Sequence, residues 1–205
     1  MDYSFIQLLT DPETIIKTLG FIGVVIIIFL ETGAFFGFFF PGDSLLFTAG
    51  FFASQGYLPF VWLLVATFVA AVLGDSLGYA FGKKVGPAIF SREDSIFFNK
   101  KHIFKAEEFY RKHGKKTIIL ARFMPIVRTF APIVAGIGRM DYKIFLFFNI
   151  IGGFLWTWLM LWLGYGLGAL IPNPDRYILP VVLVIILTSA FPVLREIWKG
   201  VKRGL

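Results

Sequence analysis

Four charged residues stand in stretches that are otherwise apolar. Glu31 closes the run Ile15 to Leu30, Asp43 follows Pro41-Gly42, and Arg122 and Arg128 flank Pro125. A charge at the centre of a membrane helix costs about 2.5–3.5 kcal/mol on insertion scales, so four unpaired charges would cost on the order of 10 kcal/mol, comparable to the stability of a whole domain. They must therefore be paired, hydrated or both. Guanidinium is a planar fork that fits phosphate or carboxylate, and a helix start beside a proline adds a dipole that favours anions. A carboxylate withdrawn from water can hold a proton near neutrality. The chemistry implied is anion binding at Arg122 and Arg128 coupled to protonation at Glu31 and Asp43, set against a plainer reading as static salt bridges.

Other polar positions are expected to support these four. Asp75 is either a hydrogen-bond partner of the broken segments or a further protonation site. It stands in a row with Gly74, Gly78, Gly82 and Gly86, whose fourfold spacing lets a neighbouring helix approach closely. That row also leaves homodimerisation open. Asn149 is expected to satisfy broken backbone nearby, with Pro41, Gly42, Pro125, Pro132 and Gly136 shaping that backbone. Trp156, Trp158 and Trp162 read as packing residues or interface anchors.

The elements that must position these groups are membrane elements. Of 205 residues, 57% are hydrophobic, 16% are charged and 26 are Phe, with a mean hydropathy of +0.76, whereas soluble domains run about 45–50% apolar. The net charge of +7 does not point to nucleic acid. Ten of the 20 Lys and Arg lie between Lys83 and Lys116, and Lys199, Lys202 and Arg203 add a second cluster. This clustering reads as cytoplasmic loops near anionic headgroups. Zero Cys excludes disulfides and thiolate-bound metals. His102 and His113 have no companion acids at metal-ligand spacing, and neither a Gly-rich phosphate loop nor a nucleophile elbow is present, so no metal, cofactor or enzymatic activity is expected.

The expected architecture is an all-α polytopic membrane protein forming a single membrane domain over 1–205. A helix covers 15–32, a re-entrant hairpin open to the outside covers 34–57, and a spanning helix covers 59–82. A basic cytoplasmic segment follows over 83–116, then a re-entrant hairpin open to the cytoplasm over 117–138 and spanning helices over 142–170 and 177–197. Both hairpins are broken by Pro, which removes a backbone donor, and such backbone is tolerated at membrane depth only beside protein or a wet cavity. Parity supports the second hairpin, because two full crossings then return the basic C-terminus to the side of the basic middle. Two hairpins entering from opposite faces, each followed by a long helix, outline an inverted repeat with a site near the midplane. The basic middle reads as an interfacial amphipathic helix, with Ser91 and Asp94 as a capping box and Gly114 as its C-cap. The first fourteen residues lack the basic start of a signal peptide.

Several of these residues fall into a pattern that resembles the DedA family, the bacterial branch of the SNARE-associated or VTT domain superfamily. The pattern runs through Leu30-Glu31-Thr32-Gly33, Phe40-Pro41-Gly42-Asp43, Gly74-Asp75 with Gly78-Tyr79, and Ala121-Arg122-Phe123-Met124-Pro125-Ile126-Val127-Arg128. It continues through Pro132, Ala135-Gly136, Met140, Phe145, Asn149, Gly152 and Trp156. The resemblance implies opposed re-entrant hairpins and a role in moving lipids across the bacterial cytoplasmic membrane, with undecaprenyl phosphate as one expected lipid. It also implies a protonatable pair at Glu31 and Asp43 and an essential basic pair at Arg122 and Arg128. The expected partners are lipids with an anionic phosphate headgroup, and protons. The Phe-rich stretches 35–40 and 51–52 are candidates to line an opening for the lipid tail, set against the plainer and favoured reading that they face ordinary lipid. Two alternatives remain: a proton-coupled carrier of small solutes or drugs, and a phospholipid scramblase or membrane-organising protein.

Overall fold

The computed structural model describes residues 12–34, 40–89 and 116–170. The start of the chain, most of the basic segment with His102 and His113, and the expected 177–197 helix lie outside the described residues. Within them every regular element is helical: α1 Pro12–Gly33, α2 Gly42–Ser54, α3 Phe60–Ile89, α4 Thr117–Ala121, α5 Pro125–Ile137 and α6 Tyr142–Leu170.

Length divides these helices into two kinds. α1, α3 and α6 are long and apolar enough to cross a membrane. α2 and α5 have 13 residues each, about 20 Å at 1.5 Å per residue, short of a hydrocarbon core of about 30 Å. α3 runs past Gly82 to Ile89, into the expected basic segment. α1 is kinked at Gly20, whose φ of 59° lies in the left-handed region that side chains resist. Pro125 opens α5 at its first turn, where a missing N–H costs nothing. Pro132, expected to break the backbone, instead lies inside the continuing helix; its ring cannot donate to the Arg128 carbonyl.

The outward faces confirm the membrane solvent. Along α3, Val61, Val65, Val69, Leu73, Leu77 and Phe81 are all exposed, an apolar stripe at every fourth residue. The core between α1, α2, α3 and α6 holds Val24, Ile28, Leu45, Leu46, Leu63 and Leu161. A smaller cluster of Tyr79, Ile118, Ala135 and Phe145 ties α3, α4, α5 and α6. Phe51 and Phe52, considered above as lining for a lipid opening, are 2% and 3% exposed. They pack in the core.

Each short helix lies against a long helix from the other half of the chain, α2 on α6 and α5 on α3. Both seams are made by reciprocal glycines. A Cβ at Gly50 would overlap the Leu161 backbone and one at Gly164 the Phe47 backbone; likewise Gly82 meets Ile133 and Gly136 meets Tyr79. Without side chains at these points the helix backbones can touch. In both short helices the seam glycine follows a fully buried alanine, Ala49-Gly50 and Ala135-Gly136. Gly74 and Gly78 are likewise occupied within the chain, Gly74 by α1 at Thr32 and Gly33, and Gly78 by Pro132.

Candidate functional site

The chain places its buried charges where helices end. Glu31 lies in the last turn of α1 and Asp43 in the first turn of α2. Gly42 separates them in space: a Cβ there would collide with the Glu31 carboxylate, so only glycine lets that carboxylate press against the start of α2. Arg128 lies in the first turn of α5, and Arg122 lies at the C-terminal end of α4, before the turn that leads into Pro125.

The four residues expected to converge do so in two groups. Arg128 spreads its fork across the first group, donating from Nη1 to Asp43 and from Nη2 to Glu31. Arg122 instead pairs with Asp75, in the middle of α3, and its Nη2 also donates to Asn149 Oδ1. Read as salt bridges among the four charges, Arg122 would face Glu31 or Asp43; the fold instead supplies Asp75 from α3, with α6 packed along α4. Asn149 likewise differs from expectation. It bonds a guanidinium and donates to the Val72 carbonyl at 3.1 Å, where a role in satisfying broken backbone was expected. Gly152 and Gly153 give the Arg122 side chain its room, a Cβ at Gly153 lying 3.4 Å from Nη2.

Two guanidiniums therefore face three carboxylates, leaving one acid in excess when all are ionised. Glu31, Asp75, Arg122 and Arg128 are buried, whereas the Asp43 side chain keeps 20% of its surface. Asp43 is thus the most exposed of the five charged residues. The Nε atoms of both arginines are buried without a hydrogen-bond partner, and each such unmet donor costs about 1–3 kcal/mol.

Trp156 joins the two groups. It is completely buried, its Nε1 donates to Asp43 Oδ1 at 2.7 Å, and its ring centroid lies 4.7 Å from Arg128 Cζ and 5.9 Å from Arg122 Cζ. Trp158 and Trp162, by contrast, are exposed on the outer face of α6. The signal that separates them is helical phase: Trp156 falls two turns after Asn149, on the face that carries Phe145 and Gly152. Pro41 precedes α2, and Gly136 acts at the α3 seam rather than at the charges.

Known proteins share this framework. Residues 40–166 match the VTT domain, a span that includes every member of the charged cluster except Glu31. An uncharacterized membrane protein of Mycobacterium leprae is 40% identical over 190 residues, 92% of this chain and 84% of its own. Protein DedA of Escherichia coli is 44% identical over 174 residues, 84% of this chain and 79% of its own. Inner membrane protein YqjA of the same species is 32% identical over 143 residues, 70% of this chain and 65% of its own. No solved structure matches. With its VTT domain, its apolar helices and these relatives, the chain belongs to the DedA family of membrane proteins.

Proposed function

We propose that this protein moves a phosphate-bearing lipid, such as undecaprenyl phosphate, across the bacterial cytoplasmic membrane, and that proton exchange at its acids drives the cycle. The supporting observation is the fork of Arg128 on Glu31 and Asp43. Two oxygens held side by side on one guanidinium occupy the place that two phosphate oxygens would take. In this arrangement the carboxylates hold the site closed against an anion. Protonation of an acid frees the guanidinium, the headgroup replaces the carboxylate, and departure of the proton restores the pair. The acid in excess over the arginines favours such a scheme, since a buried cluster with one unbalanced charge is stabilised by a bound proton.

The two short helices fit re-entrant elements. Neither reaches across a hydrocarbon core, each begins beside a proline, and each carries a cluster residue in its first turn. Their equivalent glycine seams fit an inverted repeat whose halves alternate around a shared site. Relatives named as inner membrane proteins favour the cytoplasmic membrane, with the basic middle and C-terminus on the cytoplasmic side.

Reconstitution tests the reading. Purified protein in phosphatidylethanolamine and phosphatidylglycerol liposomes should accelerate transbilayer movement of a fluorescent polyprenyl phosphate, and Arg128→Ala should abolish it. Movement that is unaffected by Glu31→Gln would remove proton exchange from the scheme. Absence of lipid movement alongside proton-driven flux of a small solute would replace the lipid with that solute. Movement of every phospholipid regardless of headgroup, surviving neutralisation of the arginines, would indicate a scramblase.

A further inference from the structure

A core position asks only for volume, and Leu or Phe supplies volume without a polar atom that needs a partner. Trp156 has a polar atom, and that atom is spent on a carboxylate of the charged cluster. Its ring, in turn, stands beside both guanidiniums, closer to Arg128 than to Arg122. The negative face of an indole attracts such cations most strongly where water is excluded. Trp156 is 0% exposed, and the arginines it faces are buried with it.

The rest of α6 is arranged around this contact. Asn149 holds Arg122 from two turns earlier, and Gly152 and Gly153 withdraw their side chains so that the Arg122 stem passes between. On the other side α2 brings Asp43 to the indole N–H through its seam at Gly50 and Gly164. No hydrogen bond links the Arg122 group to the Arg128 group among the described residues. The two groups feel each other's charge through space, and the indole ring lies beside both guanidiniums.

We propose that Trp156 is a positioning residue of the transport site, coupling its two ion-pair groups: the N–H fixes Asp43 while the ring seats Arg128 beside Arg122. The proposal rests on the transport reading above. When the Arg128 fork opens to an anion, Asp43 keeps one anchor through the indole, and the guanidinium turns on the ring face without leaving it. Arg122 feels the change through the same ring.

Two measurements test this, one with transport and one without. In the liposome assay, Trp156→Phe keeps an aromatic face and loses the N–H. Loss of a hydrogen bond to a charged group corresponds to about a tenfold fall or more, expected here in the maximal rate, with the half-saturating polyprenyl phosphate concentration little changed. Trp156→Leu loses both features and should fall further, whereas Trp158→Phe on the lipid face should transport normally. Wild-type rates in Trp156→Phe would overturn the proposal while leaving lipid transport standing. Separately, the full chain is labelled with monofluorinated tryptophan, and the fluorine resonance absent from Trp156→Phe is assigned to Trp156. That resonance should shift in Asp43→Asn, Arg128→Gln and Arg122→Gln alike. A resonance indifferent to Arg122→Gln would show that the ring does not couple the groups, and this result stands whether or not any lipid moves. Should the wild-type protein move no lipid, the transport reading fails on its own, and the fluorine shifts alone decide whether Trp156 couples the two groups.

Discussion

Arg122 and Asp75 form a buried ion pair between the end of α4 and the middle of α3, 47 residues apart in the chain. Neither residue has a second charged partner among the described hydrogen bonds; Asn149 completes the arrangement from α6.

Removing one member of such a pair strands the other. Asp75→Ala should lower stability by about 3–5 kcal/mol, read as a fall in the thermal unfolding midpoint of the detergent-solubilised protein. The loss should be nearly the same at low and high salt, because buried pairs are poorly screened. Strong salt dependence would mean that the pair is open to water.

Arg128 should resist conservative replacement. Lys keeps the charge but offers a point where Glu31 and Asp43 meet a fork. Arg128→Lys should therefore transport polyprenyl phosphate about 10- to 100-fold more slowly, the span expected for one charged hydrogen bond. Near-normal flux in this variant would reduce the site to a simple positive charge.

Two glycines of α6 should respond oppositely to the same change. A Cβ at Gly164 overlaps the Phe47 backbone, while one at Gly166 meets nothing within 4 Å. Gly164→Ala should destabilise by about 1–3 kcal/mol through overpacking. Gly166→Ala should be neutral or gain about 0.5–1 kcal/mol from helix propensity. Equal unfolding midpoints for the two variants would contradict the close α2–α6 seam.

The kink of α1 gives a further test. Gly20 has open space where a Cβ would go, yet its φ of 59° disfavours any side chain. Gly20→Ala should cost about 1–2 kcal/mol if the kink persists. An unchanged midpoint would mean that the helix straightens at no cost.

What residue order determined by itself follows from sums and local rules. The apolar excess demanded lipid as solvent, and the stripe Val61, Val65, Val69, Leu73 faces outward as that solvent requires. Proline's missing donor marks breaks in the chain at Pro41 and Pro125, and these fall at the N-cap of α2 and the first turn of α5, while Pro132 lies inside α5. The cost of inserting charge into a membrane showed that Glu31, Asp43, Arg122 and Arg128 needed partners, water or both. It did not name those partners, because the partner is chosen by which helices touch. Arg122 found Asp75, and Trp156 reached Asp43 across 113 residues. Those choices depend on where Gly50, Gly82, Gly136 and Gly164 allow two backbones to meet, a property of helices already packed together and of no single stretch of chain.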